Sequence, residues 1–196
     1  MELPKQARIT RCSTNTIELA AIQTLNREDA KNLIDAVWWK DVGNTTSNPK
    51  DEPDRKWKWR ELISAYQNKP YFRAVCLKTA DQAIQAAILY RVDALSALEL
   101  GQKAVFVDRL AVAPRNRDNL AEAPVFRGGG SGLIAYAAAV SYSLGFSGRI
   151  NLFAVANEEF YEHRGFVDTG TIVENEILLE LPTSSAVTML QERGLI

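Results

Sequence analysis

Ala104-Val105-Phe106-Val107-Asp108-Arg109-Leu110-Ala111-Val112-Ala113-Pro114 is a valine-rich, almost continuously apolar run. It reads as a central strand, covered on both faces and stopped by its proline. A polar stretch, Arg115 to Pro124, follows. Then comes Arg127-Gly128-Gly129-Gly130-Ser131-Gly132, and an apolar segment from Leu133 to Leu144 that reads as a helix beginning at Ser131 or Gly132. Ile150 to Val155 reads as the next strand. Strand, helix and strand in that order indicate a mixed sheet with helices packed on it, α/β or α+β in one domain.

Toward the N-terminus, Ile17 to Leu25 alternates like a strand, and Asn26 is placed to cap an amphipathic helix reaching Trp39. Asp41 to Asp54 carries glycine, asparagine and proline and reads as a loop. Trp57 to Tyr66 reads as a second helix, then Tyr71 to Lys78 and Ala83 to Val92 as strands. Beyond Val155, Glu158 to His163 makes a short helix closed by Gly165. Phe166 to Val173 and Glu176 to Leu181 are strands, and Ser184 to Arg193 has room for a terminal helix capped by Thr183.

Composition narrows the function. The 196 residues are 46% hydrophobic and 24% charged, which suits one folded domain and excludes wholesale disorder. With 23 basic and 24 acidic side chains the net charge is −1, so there is no overall electrostatic case for nucleic acid or an anionic membrane. Two cysteines, Cys12 and Cys76, and one histidine, His163, give neither a disulfide framework nor a metal cluster. A catalytic triad that needs a spare histidine is disfavoured too. Met1 to Thr16 lacks the apolar stretch of a signal peptide, so the expectation is a cytoplasmic protein with reduced thiols.

The glycine run has three readings. Triple glycine suits a flexible linker. Glycines opening a helix also expose bare N–H groups at the positive end of the helix dipole, an arrangement suited to a pyrophosphate. Arg127 adds a cation at the mouth. Gly130-Ser131-Gly132-Leu133-Ile134-Ala135 further satisfies the dinucleotide fingerprint. That fingerprint should leave its strand directly, and here a long segment intervenes.

Three motifs in order carry a resemblance. They are Val107-Asp108-Arg109-Leu110-Ala111-Val112-Ala113-Pro114, then Arg127 to Gly132, then Glu159-Phe160-Tyr161-Glu162-His163-Arg164-Gly165-Phe166. Together they are similar to the signature of the Gcn5-related N-acetyltransferases: a strand ending L-x-V-x-P, a loop R/Q-x-x-G-x-G/A, and F-Y-x-x-x-G-F. The implied fold is a single acyltransferase domain over residues 1–196, in the order β-α-α-β-β-β-α-β-α-β-β with room for a C-terminal helix. Two departures stand out. Residues 115–124 read as a loop inserted between the strand proline and the loop arginine, near the acceptor or at an interface, which leaves a homodimer open. Ala154 stands where many members carry an asparagine that holds the pantetheine arm, and Asn157 lies three residues later.

The resemblance implies acetyl-coenzyme A as acyl donor, no metal, and direct attack by a primary amine in a ternary complex. Arg127 and the amides of Gly128, Gly129, Gly130, Ser131 and Gly132 would hold the diphosphate. The backbone of Leu110 and Val112 would pair with the pantetheine like an added strand, and an amide near Leu110 or Ala111 would face the thioester oxygen. Tyr161 would protonate the departing thiolate. Asp108, on one face with Leu110 and Val112, would take the proton of the amine. Each role has a plainer rival: Asp108 pairs with an arginine, and Tyr161 is a packed aromatic. Glu158, Glu159 and Glu162 read as a solvated helix face, His163 as exposed and Cys76 as a buried small hydrophobe.

Arg55-Lys56-Trp57-Lys58-Trp59-Arg60 interleaves cations with aromatics, as nucleic-acid binders do, yet Asp51, Glu52 and Asp54 dilute it. Either one tryptophan enters the core with the cations in water, or Trp38, Trp39, Trp57 and Trp59 wall an acceptor pocket. Three functions follow: an N-acetyltransferase of a small-molecule, peptide or protein amine; a toxin-like acetyltransferase of aminoacyl-tRNA; and a non-catalytic module that binds or senses acyl-coenzyme A.

Overall fold

A computed structural model describes residues 2–40, 42, 51–155 and 158–196. Its contacts fall into two units. The first comprises Lys5–Leu89 and Arg109–Leu133, and the second Met1–Pro4, Tyr90–Asp108 and Ile134–Ile196.

In the first unit, β1 (Gln6–Arg11) and β2 (Thr16–Thr24) form an antiparallel hairpin. Strand β1 lies in a stretch that looked only polar. Its alternation is brief, with Ile9 turned into the core at 1% exposure and Arg8 outward. Asn26 caps α1 (Arg27–Asp29) as expected, its side-chain oxygen accepting from the Asp29 amide at 2.8 Å. The helix then widens into π-type turns over Ala30–Asp35. Helix α2 (Trp59–Tyr66) has no cap from its own segment; both carboxylate oxygens of Asp35 accept instead from the amides of Trp59 and Arg60. Strand β3 (Phe72–Lys78) pairs antiparallel with β2.

The unit's strand order is β6-β1-β2-β3-β4-β5, where β4 (Ile84–Leu95) and β5 (Lys103–Val112) contribute to both units and β6 is only Phe126–Arg127. Ile34, Trp38, Trp59, Cys76, Ile84, Leu89 and Ala111 belong to its core, and the Trp38 indole donates to the Ile84 carbonyl at 3.2 Å. Most of the expected loop 41–54 lies outside the described residues; at its end Pro53–Lys56 form a 3-10 turn.

In the second unit the order is β4-β5-β7-β9-β8, with β7 (Ile150–Ala154), β8 (Val167–Val173) and β9 (Glu176–Leu181). Strand β7 runs parallel to β5 and antiparallel to β9. Helix α3 (Gly129–Ser143) begins before the expected Ser131 and crosses from one unit's residues into the other's. It is apolar nearly all round, and accordingly Leu133–Ala135 and Ala137–Val140 are buried. Helix α4 is Glu158–Glu162 and α5 is Thr183–Glu192. A buried Arg149 ties α5 down: it donates to the Thr183 hydroxyl at 2.8 Å, to Glu99 at 2.7 Å and to the Lys103 carbonyl at 3.0 Å. Thr183 is the first helical residue rather than the cap, which is Pro182. Among the described residues no helix is long and apolar enough to cross a membrane.

Candidate functional site

The glycine run is the start of a helix and not a linker. Gly128 accepts the first helical hydrogen bond, from the Gly132 amide at 2.8 Å, so it is the cap residue of α3. Its φ of +91° lies in the left-handed region, which a side chain tolerates poorly. The amides of Gly129 and Gly130 fall in the first turn, where a helix provides no acceptor of its own. Two glycines do something sequence reasoning missed. A Cβ on Gly132 would meet the Ala7 Cβ at 3.1 Å, and one on Gly129 the Ala86 Cβ at 3.3 Å. They let the start of α3 lie directly on the strands.

The dinucleotide fingerprint fails on geometry. All of Gly130–Ala135 lies inside α3, whereas the fingerprint's first glycines must form the turn that precedes the helix. The strand before it is the two-residue β6, antiparallel to β1, and not a central parallel strand.

Arg127 is largely exposed and bonded at 2.7 Å to Asp118, which is more exposed still. That carboxylate raises the arginine's already high pKa. Asp118 was not foreseen as a site neighbour; the only signal was an acid nine residues before the arginine in an otherwise unassigned loop. The loop itself is anchored. Asn116 is buried, donates to the Gln85 side chain at 2.9 Å and accepts from the Phe126 amide at 3.1 Å. Arg117 pairs with Glu52 at 3.1 Å, bonds the buried Asp54, and donates to the Val112 carbonyl at 2.8 Å.

Leu110, Ala111 and Val112 lie near the end of β5, in the same unit as the glycine turn. Asp108 and Tyr161 belong to the other unit. The β5–β7 ladder covers only Val105–Val107 against Ile150–Leu152, although β5 continues to Val112 and β7 to Ala154. Asp108 and Phe153 therefore lie past its end. Asp108 is half-buried on β5.

Tyr161 sits in α4 with its ring edge-on to Phe160 and Phe166, at centroid distances of 5.1 and 5.5 Å. Burial pushes its phenol up to about 12, against a smaller opposing pull from Arg164. The hydroxyl therefore keeps its proton throughout the neutral range. Glu158, Glu159, Glu162 and His163 are exposed, His163 lying 3.8 Å from Glu159. Asn157 lies outside the described residues, and Ala154 is buried on β7.

The tryptophans do not form one pocket wall. Trp38 and Trp59 are core residues at 5% and 2% exposure. Trp39 and Trp57 are partly buried and carry cations on their faces: Arg55 and Arg117 over Trp39, and Arg109 over Trp57. Lys56, Lys58 and Arg60 point to water.

No protein-family model matches the chain, and no curated protein matches it. Solved structures do. A mutant of the toxin AtaT, bound to the C-terminus of the antitoxin AtaR and acetyl-coenzyme A, aligns at 19% identity over 87% of this chain and 98% of its own, with a TM-score of 0.56. Mutant forms of the spermidine/spermine N-acetyltransferase SpeG from Vibrio cholerae align at 16% identity over 86% and 98%, with a TM-score of 0.52. The chain has the fold of the Gcn5-related N-acetyltransferases. KacTA, solved as a complex with DNA, shares that fold at 18% identity over 88% of this chain and 99% of the other, with a TM-score of 0.52.

Proposed function

We propose that this protein is an acetyl-coenzyme A-dependent N-acetyltransferase acting on a primary amine. The observation that carries the reading is the glycine-capped start of α3. Left-handed Gly128 turns the chain, Gly129, Gly130 and Gly132 leave the first helical turn with Ser131 as its one side chain, and Arg127 stands immediately before the turn. Such a turn presents amides and a cation to a diphosphate. The same fold carries acetyl-coenzyme A in an AtaT complex.

When bound, the thioester supplies an activated acetyl group. Arg127 and the Gly128–Gly132 turn hold the diphosphate end. The backbone of Leu110 and Val112 gives hydrogen-bonding groups to an extended arm, as an edge strand does, and an amide near Leu110 or Ala111 is a donor for developing negative charge. Tyr161 holds its proton on Oη and delivers it to the leaving sulfur. Asp108 would accept one proton of the incoming ammonium; as the amine nitrogen bonds the acetyl carbon and the carbon–sulfur bond breaks, the second proton of the nitrogen would restore the Tyr161 phenol. The protein works in the cytoplasm.

A second reading, a toxin-like acetyltransferase of aminoacyl-tRNA, is favoured by a cleft in the first unit. This cavity of about 570 Å3 is lined by Arg27, Lys31 and Arg60 beside Glu28. The Asn32 amide engages the Glu28 carboxylate at 2.6 Å. Three cations suit an amine carried on a phosphate backbone better than a free polyamine, which wants carboxylates.

Calorimetry with acetyl-coenzyme A and NAD, followed by turnover on spermidine, peptide amines and aminoacyl-tRNA, tests both readings. Acetyl-coenzyme A binds and one amine class is acetylated if the proposal holds. Binding of NAD alone, or of acetyl-coenzyme A without turnover on any amine, overturns it in favour of a nucleotide-binding or acyl-coenzyme A-sensing module.

A further inference from the structure

The second unit holds another cleft, of about 450 Å3, between α5 and the turn after α4. Its cations are Arg164 and Arg193, with His163 at the rim; its one acid is Glu192. Ser184, Ser185 and Thr188 contribute hydroxyls from a single face of α5. Arg164 is fixed in place: its guanidinium lies 3.6 Å from the centre of the Phe160 ring and donates to the Phe160 carbonyl. Gly165 keeps the two walls together. It has a φ of +84°, and a Cβ there would come within 2.8 Å of the Ser185 Cβ.

In this cleft Arg164 is half-buried and Arg193 exposed, and their like charges repel. Burial lowers the proton affinity of both, and the charge of Arg193 lowers that of Arg164 further. Glu192 opposes this at Arg193, and Tyr161 opposes it at Arg164. A doubly negative group in this cleft would relieve the repulsion and accept hydrogen bonds from the serine hydroxyls that line it.

We propose that the cleft lined by Arg164, Arg193, Ser184 and Ser185 binds a phosphoryl group. This site uses none of the residues assigned to acetyl transfer, so it stands or falls separately from that assignment. The phosphoryl group belongs either to free phosphate or to a nucleotide phosphate ester. Thermal unfolding with inorganic phosphate, and with adenosine 3′,5′-bisphosphate, separates the two against sodium chloride at matched ionic strength. At about ten times its Kd the phosphate raises Tm by roughly 3–6 °C. Arg193→Gln, at the end of α5, abolishes the rise. Ser184→Ala, at an exposed position, reduces it in a chain whose packing is untouched. The part of each rise that Arg193→Gln removes belongs to this cleft, because binding at the glycine turn survives that substitution; a larger such part with the bisphosphate assigns the site to a nucleotide, and an equal part to free phosphate. No rise beyond chloride, or the same rise in wild type and Arg193→Gln, overturns the proposal.

Discussion

Two glycine turns, one in each unit, use the same residue type for opposite ends. At Gly128 the left-handed turn opens a helix whose first amides face outward, and its arginine, Arg127, is exposed and held by a single surface carboxylate. At Gly165 the left-handed turn closes a helix and draws it against Ser185, and the groups beside it, Tyr161 and Arg164, are partly buried. The first arrangement suits binding: charge and backbone dipoles meet a ligand at little desolvation cost. The second suits chemistry, because burial changes the proton affinity of a side chain, as the rise of the Tyr161 phenol to about 12 shows.

Removing the chemistry and keeping the packing has the largest expected effect. Tyr161→Phe leaves a ring for Phe160 and Phe166 to meet and removes only the hydroxyl. Its kcat falls by about 10²–10⁴, the range for a lost general acid, with acetyl-coenzyme A affinity nearly unchanged. A donor with a more acidic leaving thiol narrows the gap. Equal turnover by the two proteins reduces Tyr161 to a packing residue and erases the contrast between the turns.

The raised phenol also has a pH signature. The folded state holds the proton more tightly than the unfolded state, whose tyrosine has the ordinary value of 10. Its contribution to stability is therefore complete below pH 10 and is lost as pH rises from 10 to about 12. Chemical denaturation of wild type and Tyr161→Phe from pH 8 upward reads this: the wild type loses stability relative to the variant only above about pH 10. Parallel curves throughout place the hydroxyl in water.

Next in size is Gly165→Ala. A side chain at a φ of +84° is strained, and its Cβ must displace Ser185. Left-handed strain costs about 1–2 kcal/mol and overpacking about 1–3 kcal/mol, so Tm falls by roughly 4–20 °C. Gly128→Ala meets only ordinary contacts, the nearest being the Arg8 carbonyl oxygen at 3.6 Å, so it loses the strain part alone. Equal Tm losses would show that Gly165 is not a close-packing glycine.

These regions also mark what the sequence made legible. Strand β5, helix α3 and the glycine turn announce themselves because a long apolar run and a helix-opening glycine cluster are local signals. The true start of α3 at Gly129 was hidden, since glycine is a poor helix former and only the strands beneath it hold it helical. Strand β1 escaped because a six-residue segment with one core side chain, Ile9, carries too little alternation. Trp38 and Trp59 advertised a pocket by composition, and their burial is settled only by long-range packing such as the bond from Trp38 to Ile84. Cleft residues Arg164 and Arg193 are far apart in sequence, and no spacing rule joins them.

The smallest expected effect concerns Asp118. Its carboxylate occupies Arg127, the cation through which the glycine turn would greet a diphosphate. Both side chains are more than half exposed, so water and salt screen the pair and freeing the arginine changes little. Asp118→Asn removes the competing charge and one repulsive neighbour of the incoming phosphates. Acetyl-coenzyme A then binds about two- to threefold more tightly at low salt, and the advantage disappears at about 1 M salt, where the screening length is about 3 Å. Arg127→Ala does the reverse and weakens binding by about ten- to a hundredfold, because a charged hydrogen bond to the diphosphate is lost. In the double variant the Asp118 substitution loses its benefit, since there is no longer an arginine to release. Calorimetry of the four proteins at two salt concentrations reads all of this. If Asp118→Asn tightens binding equally with and without Arg127, the carboxylate acts by general repulsion, and Arg127 is not the residue that it restrains.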